Sequence, residues 1–318
     1  MSSQTIAHYN LLERLGSGAL GEVHRARDLK VGRTVALMTI PSEVTSDPAK
    51  RERFLREARA ATALNHPNIA TLFDVVEQGE TCYLAYEFAA GPSLRDEMGG
   101  HPVNMRRAME IAAQLADALA EGHSRGLVHG DLRPDNIVIT PKGSAKILNF
   151  GLSAWTPSGR ARAAASSPDG LADDPNGVAG YLSPEQALGG TIDERSDVFS
   201  FAVIVYEMLT GRCPFRGATP AATLLNVITL TPPPPSTLTP TLSRDLDALI
   251  GRCLAKPVDA RPSGALALSS DLRRITSALD AWDNHPQTEL IPPLPQRSRT
   301  PFIVGAVVIV LLVVFWLI

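Results

Sequence analysis

The octapeptide His129-Gly-Asp-Leu-Arg-Pro-Asp-Asn136 is the most informative stretch of this chain. The tripeptide Asn149-Phe-Gly151 follows it, and Gly16-Ser-Gly-Ala-Leu-Gly21 lies near the N-terminus. Taken alone, an Asp before Leu-Arg-Pro is typical of a turn, and closely spaced glycines fit a tight hairpin. Together and in this order, the three stretches indicate one shared site rather than three unrelated turns.

The composition excludes several classes of protein. The chain has 318 residues, of which 20% are charged and 44% apolar, with a formal net charge of -3. Because there is no overall positive charge, nucleic acid is not an expected partner. Three cysteines, Cys82, Cys213 and Cys253, are odd in number and widely spaced. They predict neither a disulfide framework nor a zinc site, and they favour a reducing compartment.

Hydrophobic patterning divides the chain into a strand-rich first part and a helical second part. Short strands are predicted at 11–15, 22–26, 34–40 and 81–88, with one helix at 48–63. Helices are predicted at 105–125, 198–210, 245–256 and 264–279. Residues 231–236 are rich in proline, which fits a stiff surface connection or an interaction motif.

The last uncharged stretch, Phe302–Ile318, predicts a membrane-spanning helix. At 1.5 Å per residue it would be roughly 26 Å long, slightly short of the roughly 30 Å hydrocarbon core. The alternative is a buried helix of the globular domain, but a proline-rich spacer at 281–301 and the lack of any polar face favour the membrane. Arg297 and Arg299 precede the stretch, so the positive-inside rule predicts a single-pass C-terminal anchor with the large domain in the cytoplasm.

The glycine-rich stretch suits a phosphate-binding loop. Gly16, Gly18 and Gly21 form G-x-G-x-x-G, in which backbone N–H groups can approach phosphate oxygens because side chains are absent. The motif alone is weak. It gains specificity from Val23 and from Val35-Ala36 on the next predicted strand.

These motifs resemble those of the bacterial receptor-type Ser/Thr protein kinases over residues 9–280. Further matches are Phe54-Leu-Arg-Glu-Ala58, Tyr83–Phe88, Gly180-Tyr-Leu-Ser-Pro-Glu185 and Cys253–Arg261. The resemblance implies an α+β, two-lobed fold. An N-lobe at 9–88 has a small antiparallel sheet and helix C, and a C-lobe at 89–280 is mainly helical. Residues 1–8 are then an N-terminal tail.

The resemblance also assigns roles to individual residues. Asp131 takes the position of the catalytic base, which accepts the proton of a substrate hydroxyl, and Arg133 lies beside the γ-phosphate. Asn136 and Asn149 take the two magnesium-binding positions. The nucleotide-binding positions are Gly16, Ser17, Gly18, Gly21, Val23, Ala36, Met38, Glu57, Glu87 and Phe88. Three others are structural: Asp197 holds the catalytic-loop backbone, and Glu185 pairs with Arg261.

Besides Arg133, which takes the place of the usual lysine, four positions depart from the family pattern. Met38 replaces the phosphate-binding lysine that pairs with Glu57, and Lys30, Arg33 and Arg25 do not clearly supply a substitute. Asn149 replaces the magnesium-binding aspartate. Gly130 replaces the arginine that receives an activation-loop phosphate, and Val178 replaces a threonine that contacts the catalytic loop.

The departures favour a pseudokinase that acts as a scaffold or allosteric regulator in phosphorylation signalling. We expect ATP binding to be weak, magnesium binding to be weakened, and the partner to be another protein kinase or a phosphorylation substrate. The lipid bilayer is a further partner through the C-terminal helix. The alternative is an active ATP-dependent Ser/Thr kinase of low or rewired activity.

Overall fold

The computed structural model describes residues 4–17, 20–152, 155–156 and 177–283. The chain divides into two compact units, Met1–Ser277 and Ala278–Ile318. The first unit contains the predicted site. No helix in the described ranges is long and apolar enough to cross a membrane. The predicted membrane segment, Phe302–Ile318, and residues 284–301 of the predicted linker lie outside those ranges.

The N-terminal part of the first unit contains a six-stranded antiparallel sheet in the order β1-β2-β3-β4-β6-β5. Its strands are β1 Thr5–Ile6, β2 Tyr9–Ser17, β3 Glu22–Asp28, β4 Thr34–Thr39, β5 Leu72–Gln78 and β6 Thr81–Glu87. Thr5 and Ile6 pair with Asn10 and Tyr9. The sheet therefore begins inside residues 1–8, which the sequence assigned to a tail.

Helix α2, Pro48–Ala61, follows a single turn α1 at Ser42–Thr45. The Asp47 side chain caps α2 by accepting a hydrogen bond from the Lys50 backbone N–H at 2.9 Å. Proline suits the first helical turn, where its missing N–H has no partner to lose. The fully buried Phe54 lies on the face of α2 that packs against the sheet.

The two faces of the sheet bury different side chains because successive residues of a strand point to opposite sides. Val35 and Leu37 belong to the apolar cluster on one face. Val23, Ala36 and Met38 lie on the other face, which packs against α2. This second face is the one on which the sequence predicts the nucleotide.

The following part is mainly helical and confirms the expected α+β, two-lobed arrangement. Its helices are α3 Leu94–Met98, α4 Met105–Ser124, α5 Pro184–Ala187, α6 Glu194–Thr210, α7 Pro220–Thr229, α8 Arg244–Cys253 and α9 Ala265–Asp283. A hairpin of β7, Ile137–Ile139, and β8, Ala145–Ile147, lies between α4 and α5. The octapeptide precedes this hairpin and Asn149 follows it.

Helix α6 is the central buried helix of this part. It begins four residues before the predicted start at 198, because the Asp193 side chain accepts from the Arg195 N–H and forms a capping box with Ser196. It ends at Gly211, whose φ of 71° is left-handed and favours glycine. All residues from Ser196 to Thr210 are buried.

Candidate active site

Met38 lies in an apolar environment. It is paired with Val23 on β3 and Leu84 on β6, and its exposed fraction is only 5%. Met38 belongs to a buried apolar cluster, here called the Met38 cluster, whose members include Leu20, Phe54, Leu152 and Trp155. A phosphate-binding cation is thus replaced by a methionine within a packed apolar group.

The glycine-rich loop lies against β4. A Cβ on Gly21 would be 1.9 Å from the Thr39 carbonyl oxygen, so only glycine fits there. Gly16 has a φ of 143°, which also favours glycine. Leu20, between them, is 2% exposed and belongs to the Met38 cluster. Gly18 lies outside the described residues, as does the side chain of Ser17.

The Glu57 carboxylate on α2 accepts hydrogen bonds from Arg53 and Trp155. Its Oε1 accepts from Arg53 Nε at 2.8 Å, one helical turn away. Its Oε2 accepts from the Trp155 indole Nε1 at 2.5 Å. Trp155 also packs edge-on against Phe54, with ring centroids 5.5 Å apart at 87°, and Arg53 lies 5.5 Å from the Trp155 ring centroid. The carboxylate that would pair with a lysine is therefore held by an indole and an arginine.

The nearby cations considered from the sequence are engaged elsewhere or lie in the preceding turn. Arg33 pairs with Asp28 at 3.3 Å and stacks 3.5 Å from the centre of the Phe73 ring, which packs on the opposite face of the sheet. Arg25 pairs with Glu13 at 3.0 Å. Lys30 is exposed in the turn between β3 and β4. Among the described residues, none of these three forms a hydrogen bond or ion pair with Glu57, whose partners are Arg53 and Trp155.

Glu87 and Phe88, two of the predicted nucleotide-binding residues, lie at the end of β6 and directly after it. Lys146 Nζ on β8 is 2.9 Å from both carboxylate oxygens of Glu87, and Phe88 follows the strand half-buried. The preceding residue, Tyr86, carries a buried hydroxyl with no hydrogen-bond partner in the described ranges. Burial raises the pKa of that hydroxyl above its usual value.

Asp197 at the start of α6 fixes the catalytic-loop backbone, as predicted. Its carboxylate accepts from the backbone N–H groups of His129 and Gly130, both at 2.7 Å, and lies 2.9 Å from His123 Nε2. Asp197 is fully buried. Gly130 has a φ of 68°, so this loop position suits glycine where the family carries arginine.

The catalytic loop, residues 129–136, brings the predicted catalytic residues together. Asn136 Nδ2 donates to the Asp131 carbonyl oxygen at 2.8 Å and lies 3.3 Å from Asp131 Oδ2. Arg133 Nε is 3.6 Å from Asp131 Oδ1, and Arg133 Nη1 is 3.1 Å from Asp135 Oδ2. Asp131 is therefore buried beside one guanidinium and one amide.

Asn149 suits the backbone conformation at its position, but its amide would be a neutral metal ligand. Its φ of 59° is left-handed, a conformation that Asn and Asp tolerate better than other residues with a Cβ. The described ranges contain no group of three His, Cys, Asp or Glu side chains that could hold a metal. Asn136 and Asn149 would each offer a neutral amide oxygen, whereas Mg²⁺ is usually held by carboxylates. This donor set does not fit the usual magnesium site.

The predicted pair between Glu185 and Arg261 is present and bidentate. Arg261 Nη1 and Nη2 each donate to one Glu185 oxygen at 2.8 Å, and the Arg261 side chain is fully buried. Burial by itself would raise the pKa of Glu185, but hydrogen bonds from Arg261 and Ser196 outweigh it and hold that pKa at about 2. Glu185 is therefore ionised in the folded state, and its ion pair with Arg261 stabilises the fold.

Trp155, Leu20 and Arg53 are the site residues that the sequence did not identify. Arg53 and Glu57 could have been paired by their i, i+4 spacing on one helix. Leu20 and Trp155 carry no such signal, because each reaches the site only through tertiary packing.

The sequence of this chain matches a known protein family and is similar to characterised proteins. The family described as "Protein kinase domain" matches residues 9–272. The chain is 39% identical over 274 residues to Serine/threonine-protein kinase PknB of Mycolicibacterium smegmatis, and 35% identical over 298 residues to Serine/threonine-protein kinase pkn2 of Myxococcus xanthus. These alignments cover 84% and 92% of this chain but only 43% and 35% of the relatives. The chain thus spans less than half the length of these curated relatives.

A solved structure agrees with the fold. The crystal structure of the Mycobacterium tuberculosis PknI kinase domain matches with a TM-score of 0.66 at 25% identity, covering 86% of this chain and 98% of that one. The fold and the site together define a protein of the kinase type. The chain belongs to the protein kinase superfamily, within the bacterial Ser/Thr kinase family.

Proposed function

We propose that this chain is a membrane-anchored pseudokinase that scaffolds or allosterically switches another protein kinase or a phosphorylation substrate. The observation that carries the proposal is the burial of Met38 in its apolar cluster, with Glu57 bound to Trp155 and Arg53 instead of a lysine. Phosphoryl transfer depends on cations that neutralise the nucleotide phosphates. The Met38 cluster supplies apolar surface where that charge is required.

The expected catalytic deficit is large. Removing one preorganised electrostatic group typically lowers the rate by about 10² to 10³. Met38 and Asn149 each remove one such group. Their effects need not add, since such groups act as a unit. The deficit still suffices to bring turnover towards background.

Nucleotide binding is a separate property. Val23 and Ala36 retain an apolar roof, whereas the charged phosphate and metal contacts are weakened. We therefore expect weak ATP binding that is nearly independent of Mg²⁺. At roughly 100 times its dissociation constant, ATP would stabilise the fold by about 2.7 kcal/mol, and the melting temperature would rise equally with and without Mg²⁺. A rise seen only with Mg²⁺ would contradict this account of Asn149.

The second candidate function is that of an active Ser/Thr kinase with low or rewired activity. The geometry of the catalytic loop favours it, because Asp197 holds the backbone and Asn136 contacts Asp131. Arg53 would then be a cation close to Glu57 that could take part in rewired phosphate binding.

Repair of the two substitutions tests the proposal. Met38→Lys combined with Asn149→Asp should raise phosphate transfer above that of the unchanged chain if Asp131 is well placed. The matched control is the same double variant with Asp131→Asn added, which should remain at background. Repaired activity that does not depend on Asp131 would contradict the assigned role of this residue.

The proposed membrane anchor is supported by the sequence alone. Phe302–Ile318 is uncharged and about long enough to span, and Arg297 and Arg299 favour a cytoplasmic kinase-like domain. Full-length protein should sediment with membranes and resist extraction by high salt. A chain that ends at Thr300 should be released. Equal sedimentation of the two would refute the anchor.

A further inference from the structure

A cavity of about 380 Å³ lies between α3, the C-terminal end of α6 and the segment that follows α6. We call it the arginine cavity. Arg95, Glu207, Arg212, Cys213 and Arg216 are among the residues that line it. Three of these five carry a positive charge, and one carries a negative charge.

The arginines that line the cavity have N–H groups that are not paired with acidic residues in the described part of the chain. Arg212 and Arg216 are exposed, and neither forms an ion pair with any described residue. Arg95 uses Nε and Nη2 to bind Asp135 at 2.9 Å, and Nη2 also lies 3.3 Å from the Tyr181 hydroxyl. Arg95 Nη1 has no hydrogen-bond partner within the described part of the chain.

The carboxylates near the cavity are already engaged. Glu207 accepts a hydrogen bond from the Tyr181 hydroxyl and is 8% exposed. Asp135 is shared between Arg95 and Arg133. An incoming anion would therefore meet arginine N–H groups whose charge these two acids do not fully compensate.

The cavity is connected to the catalytic loop by a continuous series of polar contacts. Arg133 joins Asp135 at 3.1 Å to Asp131 at 3.6 Å, and Arg95, which lines the cavity, binds Asp135 at 2.9 Å. A side chain bound in the cavity would therefore contact the same network of ion pairs that reaches Asp131 on the catalytic loop.

We propose that the arginine cavity binds an acidic or phosphorylated side chain of a protein segment docked over the catalytic loop. Guanidinium groups suit this role because they form paired hydrogen bonds to carboxylate and phosphate oxygens. The inference rests on the proposed function in one respect, because the docked protein is the partner or substrate named there. Binding in the cavity requires no phosphate transfer.

The test is a binding measurement on the full chain without nucleotide. Fluorescent peptide pools, each with one fixed residue and the others randomised, would be titrated by anisotropy, with Glu, phosphoserine, Gln or Lys as the fixed residue. The Glu and phosphoserine pools should bind about tenfold more tightly than the Gln pool, equivalent to about 1.4 kcal/mol. Added salt should reduce this preference.

Two charge-matched double variants locate the binding. Arg212→Glu with Arg216→Glu should abolish the preference. Arg27→Glu with Arg56→Glu, on exposed residues of β3 and α2, makes the same change in net charge and should preserve it. Melting curves verify that each variant is folded, and Gln replacements at 212 and 216 serve if the charge reversals unfold the chain.

Three results would overturn the proposal. The first is equal binding of all peptide pools, and the second is a preference for acidic pools that persists after the changes at 212 and 216. The third is binding to phosphatidylserine vesicles that depends on these two arginines, combined with no preference among the peptide pools. The last would assign the cavity to lipid headgroups. Robust phosphate transfer by the unchanged chain would refute the pseudokinase proposal but leave this one standing, because the binding is measured without ATP.

Discussion

Trp155→Phe isolates the contact that takes the place of a lysine–glutamate pair in this protein. The change removes the indole N–H that donates to Glu57 Oε2 at 2.5 Å, while an aromatic ring remains to pack against Phe54 within the Met38 cluster. A hydrogen bond to a charged group contributes about 1.5–3 kcal/mol. Because Glu57 is 30% exposed, we expect a value near the lower end, about 1.5 kcal/mol.

A double-mutant cycle measures this energy free of other losses. The free energy of unfolding would be compared for the unchanged chain, Trp155→Phe, Glu57→Ala and the combined variant. Loss of the Arg53 contact occurs in both variants that lack Glu57 and therefore cancels. The coupling between Trp155 and Glu57 should be about 1.5 kcal/mol, and Trp155→Phe alone should lower the melting temperature by roughly 3–6 °C.

A coupling energy below about 0.5 kcal/mol, the usual error of additivity, would refute the assignment. In that case the indole and the carboxylate would not hold each other in solution, and Glu57 would be available to another cation. Trp155→Phe should also fail to restore phosphate transfer, because Met38 remains apolar.

Two further predictions concern stability. The pKa of Glu185 is depressed from 4.5 to about 2 in the folded state, so its contribution is complete above about pH 4.5 and is lost as pH falls through about 2. Glu185→Gln should therefore lower the free energy of unfolding by about 3 kcal/mol at neutral pH, and by progressively less as pH falls towards 2. Urea denaturation at several pH values measures this loss. A loss that does not change with pH would contradict the charged pair with Arg261. Gly122→Ala should destabilise the chain by about 1–3 kcal/mol, because the new Cβ would lie 2.2 Å from the Phe150 ring. Gly251→Ala, in another helix where nothing lies within 4 Å of the new Cβ, should stabilise it by about 0.5–1 kcal/mol; equal effects at the two glycines would contradict the close packing of Phe150.

Local patterns in the sequence were sufficient for much of the fold. Helix α4 ends within one residue of its prediction, because its apolar spacing and its Asn104 cap are both local. The start of α6 was missed by four residues, since Asp193 and Ser196 form a capping box ahead of the first apolar residue. Strand β1 was missed because two residues carry no periodicity, and only pairing with β2 defines them.

The candidate site was predictable where a motif fixes both residue type and position. The contact of Asp197 with the catalytic-loop backbone was correctly expected. The bond between Trp155 and Glu57 joins residues 98 positions apart, so no local pattern encodes it. The arginine cavity was missed for the same reason, because Arg95 and Asp135 meet only in the folded chain.

Phosphate transfer by the unchanged full-length protein tests the central claim most directly. Incorporation of labelled phosphate from ATP into the chain itself and into a generic protein substrate would be followed with Mg²⁺, beside an Asp131→Asn variant as the control. If Met38 and Asn149 have removed the phosphate and metal contacts, both proteins should give the same background signal. Robust incorporation by the unchanged chain that disappears with Asp131→Asn would contradict the pseudokinase account and establish the active-kinase alternative.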